Sequence, residues 1–295
     1  FSLLVSCDEP SASRRVNQPS PAIVPQSAVR RLPRWALFLL CAAYILPGFV
    51  GRNPWRGADM AALGYMQELA GGHTPWMAPL LGGLAPETDG LLPYWLGAWA
   101  IQLTTPWAAP ELAARIPFVL LVALTLLATW YGIYALARSP GAQPVAFAFG
   151  GEAQPADYAR AMADGGLLAL LACLGLAQPT HETTSYLVQL CCTTLVFYGL
   201  ATGPQSKTLA ATALAAGMVG LVLSGAPTLA LLYALGAAAL YLSDTHAEPS
   251  ERRHAVQWSV LALASALIAA ALTWWLDAWR WKLAWPQELG KDWLD

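Results

Sequence analysis

The sequence predicts an all-α membrane protein of about seven transmembrane helices, with a long first outer loop carrying amphipathic interfacial helices. Three observations lead there. Hydrophobic residues make up 57% of the chain and charged residues only 12%, roughly half the charged share usual in soluble domains. Fourteen Trp and ten Tyr suit a chain with much membrane–water interface to anchor. Apolar runs of helical length recur from residue 33 onward.

In order, the expected spans are 33–50, 113–137, 165–179, 184–202, 208–223, 226–243 and 256–277. Several are shorter than the ~20 residues an upright helix needs. Residues 8–34 are rich in Pro, Ser and Arg without an apolar core. Residues 1–32 therefore read as a disordered cytoplasmic tail. The tail lacks the charged-then-apolar order of a cleaved leader, so the first run reads as a permanent anchor. Residues 278–295 form a polar, Trp-rich outer-face end, after which the chain is expected to continue in a longer protein. Trp274, Trp275, Trp279, Trp281 and Trp285 read as an aromatic anchor at the last span's outer end.

The run 91–107 (LLPYWLGAWAIQLTTPW) either spans or lies flat, and charge decides between the two. If it lies flat and the N-terminus is cytoplasmic, the inner segments hold Arg14, Arg15, Arg30, Arg31, Arg34, Arg138, Arg160, Lys207, Arg252 and Arg253. The outer segments keep Arg52, Arg56, Arg115, Arg280, Lys282 and Lys291. That excess of inner cations is the expected bias, and a spanning 91–107 would destroy it. The outer face is then built from loop 51–112, the stretch PTHETT at 179–184 and the turn SGAP at 224–227.

Two surface helices are expected in the first loop, near 58–70 and 91–103. In the first, Met60, Leu63, Tyr65, Met66 and Leu69 supply apolar contacts while Asp59, Gln67 and Glu68 stay polar. Gly71–Gly72 provides its stop. Asp164 reads as the terminator of the third span.

Other classes recede. A net charge of −2 gives no polyanion footprint, so nucleic acid is not an expected partner. No Gly-rich phosphate loop or dinucleotide fingerprint occurs. Cys7, Cys41, Cys173, Cys191 and Cys192 lack metal spacing. Near absence of charge within the spans weakens a transporter or flippase.

The order of segments resembles the GT-C superfamily of integral-membrane glycosyltransferases, in particular family 39. That group includes protein O-mannosyltransferases and the aminoarabinose transferases of lipid A. A first span leads to Asp59, an amphipathic helix, a -PLLGGL- stretch, an acidic loop, and then LLPYWLGAWAIQL and AARIPFVLL. Tyr94-Trp95-Leu96 and Ala114-Arg115-Ile116-Pro117 carry the likeness best, which covers about residues 33–243. The resemblance implies a GT-C-like module over 33–277 in a bacterial inner membrane. The expected activity is inverting transfer of a sugar from a polyprenyl-phosphate donor at the outer face. It places Asp59 as catalytic base, assisted by Glu182, with Arg115 and Arg56 on the donor phosphate.

His73, Glu87, Asp89 and His181 are candidates for the acceptor site or a divalent metal, although their spacing is not that of a compact metal motif. The chain departs from the family in places: Asp59-Met60 stands for Asp-Glu. A lysine is replaced by Asp89 or lost with Gly90, and Ser224-Gly225 stands for Lys-Gly. Those lost cations keep a second reading open, a non-catalytic membrane subunit that retains the scaffold. Membrane lipids, and other membrane subunits, are the remaining expected partners. Asp59 as a mere first-turn acid of a helix is the plain alternative to catalysis.

Overall fold

The structure, a computed structural model, describes residues 23–51, 54, 57–86, 90–203, 206–243 and 249–275. Among the described residues it is helical throughout, with two isolated bridges, Pro25–Glu152 and Leu81–Leu84, and no strand. The helices are α1 (Arg34–Phe49), α2 (Gly57–Ala70), α3 (Leu92–Thr104), α4 (Pro110–Ala137) and α5 (Pro155–Leu171). They continue with α6 (Leu174–Ala177), α7 (Ser185–Thr202), α8 (Lys207–Leu223), α9 (Pro227–Ser243) and α10 (Pro249–Trp275).

Two of these are long and apolar enough to cross a membrane, α4 and α7. The number becomes three if the bent pair α5 and Leu174–His181 is taken as one span. At 28 residues α4 is about 42 Å long. It opens with Pro110 at a position that needs no N–H and Glu111 in the first turn, where a carboxylate meets the helix dipole. By contrast α1, at 16 residues, rises only about 24 Å.

The expected third span, 165–179, is not one straight helix. It starts ten residues earlier, at Pro155, and turns by 66° after Leu171. The Cys173 N–H bonds to the Leu170 carbonyl and Cys173 itself is extended, so the ladder stops there. Asp164 accordingly terminates nothing. It lies inside α5, 3% exposed, and accepts from the Leu32 N–H (3.1 Å) and the Trp130 indole (2.8 Å).

Those contacts bear on the last part of the expected tail, of which residues 1–22 lie outside the described residues. Residues 24–32 are pinned to the start of α5. Gln26 donates to Asp157 and accepts from the Gln154 N–H, Arg31 pairs with Asp157 at 3.0 Å, and Arg160 donates to the Leu32 carbonyl. Pro, Ser and Arg gave no apolar signal there because the segment is held by hydrogen bonds, not by burial.

Both first-loop helices form where expected. The face of α2 differs, however. Its buried residues are Asp59, Ala62, Tyr65, Met66 and Leu69, while Met60 is 58% exposed. That spacing is one helical stripe, turned onto α3 and α4. At its end the His73 N–H bonds to the Glu68 carbonyl and the Gly72 N–H to the Leu69 carbonyl. Gly72 has φ +73°, a left-handed stop that suits glycine.

In the bundle, α7 packs against α8 and α4. Gly217 makes the first approach possible: a Cβ there would lie 2.7 Å from the Cys192 carbonyl oxygen. Small residues at such crossings let helix backbones meet where lipid gives no hydrophobic push. Segment 24–32, the end of α4 and the start of α5 share one end of the molecule. The opposite end gathers the close of α1, the starts of α2 and α4, and residues 178–184. Ser224, which follows α8, lies there against Gly90.

Candidate functional site

Asp59 occupies the first turn of α2, where the helix dipole favours an anion. Its neighbours come from far along the chain. Oδ1 accepts from both the Thr183 N–H (2.9 Å) and the Thr183 hydroxyl (2.7 Å). Oδ2 faces Arg115 Nη2 at 4.0 Å. Arg115 also donates from Nη1 to the Phe49 carbonyl at the end of α1 (3.2 Å). Asp59 is 2% exposed and Arg115 7%, so the pair sits out of solvent. Burial at that level costs several kcal/mol per ion, and the hydrogen bonds around the pair offset it.

Asp59 and Arg115, picked out in the sequence, therefore meet. Glu182, picked out beside them, is buried one residue from Thr183 and accepts from Gln178 Nε2 at 2.8 Å. The remaining candidates divide. Arg56, Glu87 and Asp89 lie outside the described residues, as does Arg52. His73 stands just past the end of α2, exposed, with Nδ1 3.3 Å from Glu68 Oε2. His181 is packed among Tyr44, Phe49 and Gly48 instead of facing a loop cavity. Its Nδ1 lies against the Ala177 carbonyl and the Thr180 hydroxyl, its Nε2 against the Tyr44 carbonyl.

Among the described residues no three His, Cys, Asp or Glu side chains are grouped to hold an ion.

Thr183 is the residue that sequence reasoning missed. It supplies both donors to one carboxylate oxygen and so joins loop 179–184 to α2. The available signal was Asp59 itself: spaced three, seven and ten residues before Ala62, Met66 and Leu69, it belongs to the apolar stripe. A carboxylate on such a stripe demands buried donors. Next to it, the Thr184 hydroxyl is buried without a hydrogen-bond partner among the described residues. Chemically, the junction holds a carboxylate with a hydroxyl donor already in place and a cation beside it. In comparison with known proteins, the chain matches no family model, no curated protein and no solved structure.

Proposed function

We propose that the chain is an integral-membrane glycosyltransferase. It moves a sugar from a polyprenyl-phosphate carrier to an acceptor at the outer face of a bacterial inner membrane, with seven spans and a cytoplasmic N-terminus. One observation carries this reading. Asp59, Arg115 and the loop bearing Glu182 come from three distant segments and meet at one end of the bundle.

The chemistry follows from the pairing. The Thr183 hydroxyl, 2.7 Å from Asp59 Oδ1, stands where an acceptor hydroxyl would stand. A carboxylate in that position takes the proton as the hydroxyl oxygen bonds to the anomeric carbon. The carbon–oxygen bond to the carrier phosphate breaks on the opposite face, which inverts the centre. Arg115 takes up the charge that grows on the departing phosphate. Glu182, one residue before Thr183, orients the acceptor. The carrier's tail lies along the lipid-facing helices.

Asp59→Asn is expected to abolish transfer while leaving donor binding in place, read by product formation beside native mass spectrometry of the detergent-purified chain. Retained transfer in that variant would remove Asp59 as the base. Native mass spectra should also show a polyprenyl-phosphate sugar that Arg115→Ala loses. The completeness of the Asp59 junction, 2% exposed, favours a second reading. In it the pair is purely a brace in a non-catalytic membrane subunit. Ordinary phospholipid alone in both spectra would select that brace.

A further inference from the structure

The bend between α5 and α6 leaves peptide groups without partners. Among the described residues no hydrogen bond reaches the Leu171 or Ala172 carbonyl, and none leaves the Leu174 or Gly175 N–H. The place is also uncovered: Ala172, Cys173 and Gly175 are exposed, and Leu174 is 89% exposed. Its depth follows from α4. A small cavity is lined on one side by Val122, Thr125 and Leu126, and on another by Leu170 and Leu176, which flank the bend. Those α4 residues stand at the middle of the helix, about 21 Å from either end. In a helix long and apolar enough to cross, the middle lies inside the ~30 Å hydrocarbon layer.

Hydrocarbon offers such groups neither donor nor acceptor. Irregular backbone at that depth persists only where protein or a water-filled cavity meets it. The side chains around the bend, Leu168, Leu171 and Leu174, are apolar and give water no further partners. Protein is left, and the bend itself selects which. It presents two acceptors and two donors side by side, so it is complementary to itself. A twofold axis sets the donors of one copy against the acceptors of another, as in any isologous contact. The approach is open as well, since a Cβ added at Gly175 would meet nothing within 4 Å. We infer that the bend is a dimer contact: a second copy of this chain packs its own α5–α6 bend here, and each completes the other's hydrogen bonds. The contact rests on α4 crossing the membrane and is independent of sugar transfer.

Cys173 lies in the bend with its thiol exposed, and it makes the test direct. Cys7, Cys41, Cys191 and Cys192 are replaced, and the full chain in its membrane is treated with a short bis-maleimide. A product of twice the chain's mass is expected. The control carries its one thiol at Leu120→Cys, 63% exposed on α4 with no bend beside it, and is expected to give a trace. Equal yields from the two would mean random encounter and would overturn the contact. Gly175→Leu puts bulk into the open approach and is expected to lower the Cys173 product about tenfold with the helix content unchanged. An unchanged yield would also overturn it. If Gly175→Leu fails to fold, Leu174→Trp serves in its place. Fast reaction of Cys173 with an impermeant thiol reagent in sealed membranes would put water at the bend and reject the dimer. Products that join Cys173 to a different protein alone would reject the second copy.

Discussion

At Asp59 two buried ions share a junction whose removal is asymmetric. Arg115→Ala leaves the carboxylate without its cation, and a broken buried pair costs about 3–5 kcal/mol. A detergent unfolding titration is expected to show a loss of that size, and a loss under about 1 kcal/mol would mean that the 4.0 Å pair contributes little. Asp59→Asn combined with Arg115→Gln removes both charges and is expected to lose less than Arg115→Ala alone. Thr183→Val deletes the hydroxyl donor but keeps the N–H, so about 1 kcal/mol should go while transfer persists. If transfer disappears with it, Thr183 does more than occupy the acceptor's place.

Among the elements, the crossing of α7 and α8 is the tightest test of packing. A methyl at Gly217 would sit 2.7 Å from the Cys192 carbonyl oxygen and 2.8 Å from Val196 Cγ2. Backbone cannot swing aside as a side chain does, so Gly217→Ala is expected to destabilise by about 1–3 kcal/mol in the same titration. A neutral result would mean that the two helices can separate freely. Element positions were largely legible: α2 and α3 appear within a residue or two of 58–70 and 91–103, because helical pattern and glycine stops are local signals. The buried face of α2 was not legible. Asp59 turns inward because of Thr183, 124 positions later, and no local pattern carries that. The bend after Leu171 was hidden for a similar reason: Cys173 and Leu174 are as apolar as the helix they interrupt. The pinned segment 24–32 was missed because composition registers burial, and its ties are polar.

For the whole molecule, sidedness is the property to measure. At 13 residues α3 is about 20 Å long, shorter than the ~30 Å hydrocarbon layer, but α1, α8 and α9 at 16 or 17 residues also fall short of it, so length alone does not decide between crossing and lying flat. In a background without the native cysteines, Leu84→Cys and Phe149→Cys give reporters at positions 72% and 102% exposed. An impermeant thiol reagent is expected to label them from opposite faces of sealed membranes. Labelling from one face would require 91–107 to cross and would reverse every later loop. The candidate site was half visible at this scale. Asp59, Arg115 and Glu182 were named from the sequence, but the tie through Thr183 exists only in the assembled bundle.

The fastening of α1 has a consequence in time. Its entry is held by Asp157, Asp164 and Arg160, and its exit by Thr180 and His181, contacts spanning 128 to 137 positions. At ~5–20 residues per second, a chain under synthesis produces those partners roughly 6 to 27 s after the helix they secure. The helix α1 is therefore made well before the partners that secure both of its ends. Until α5 and the loop after it emerge, α1 leans chiefly on α4, and a chain stalled before Pro155 would present it to the quality-control machinery as an unfinished surface.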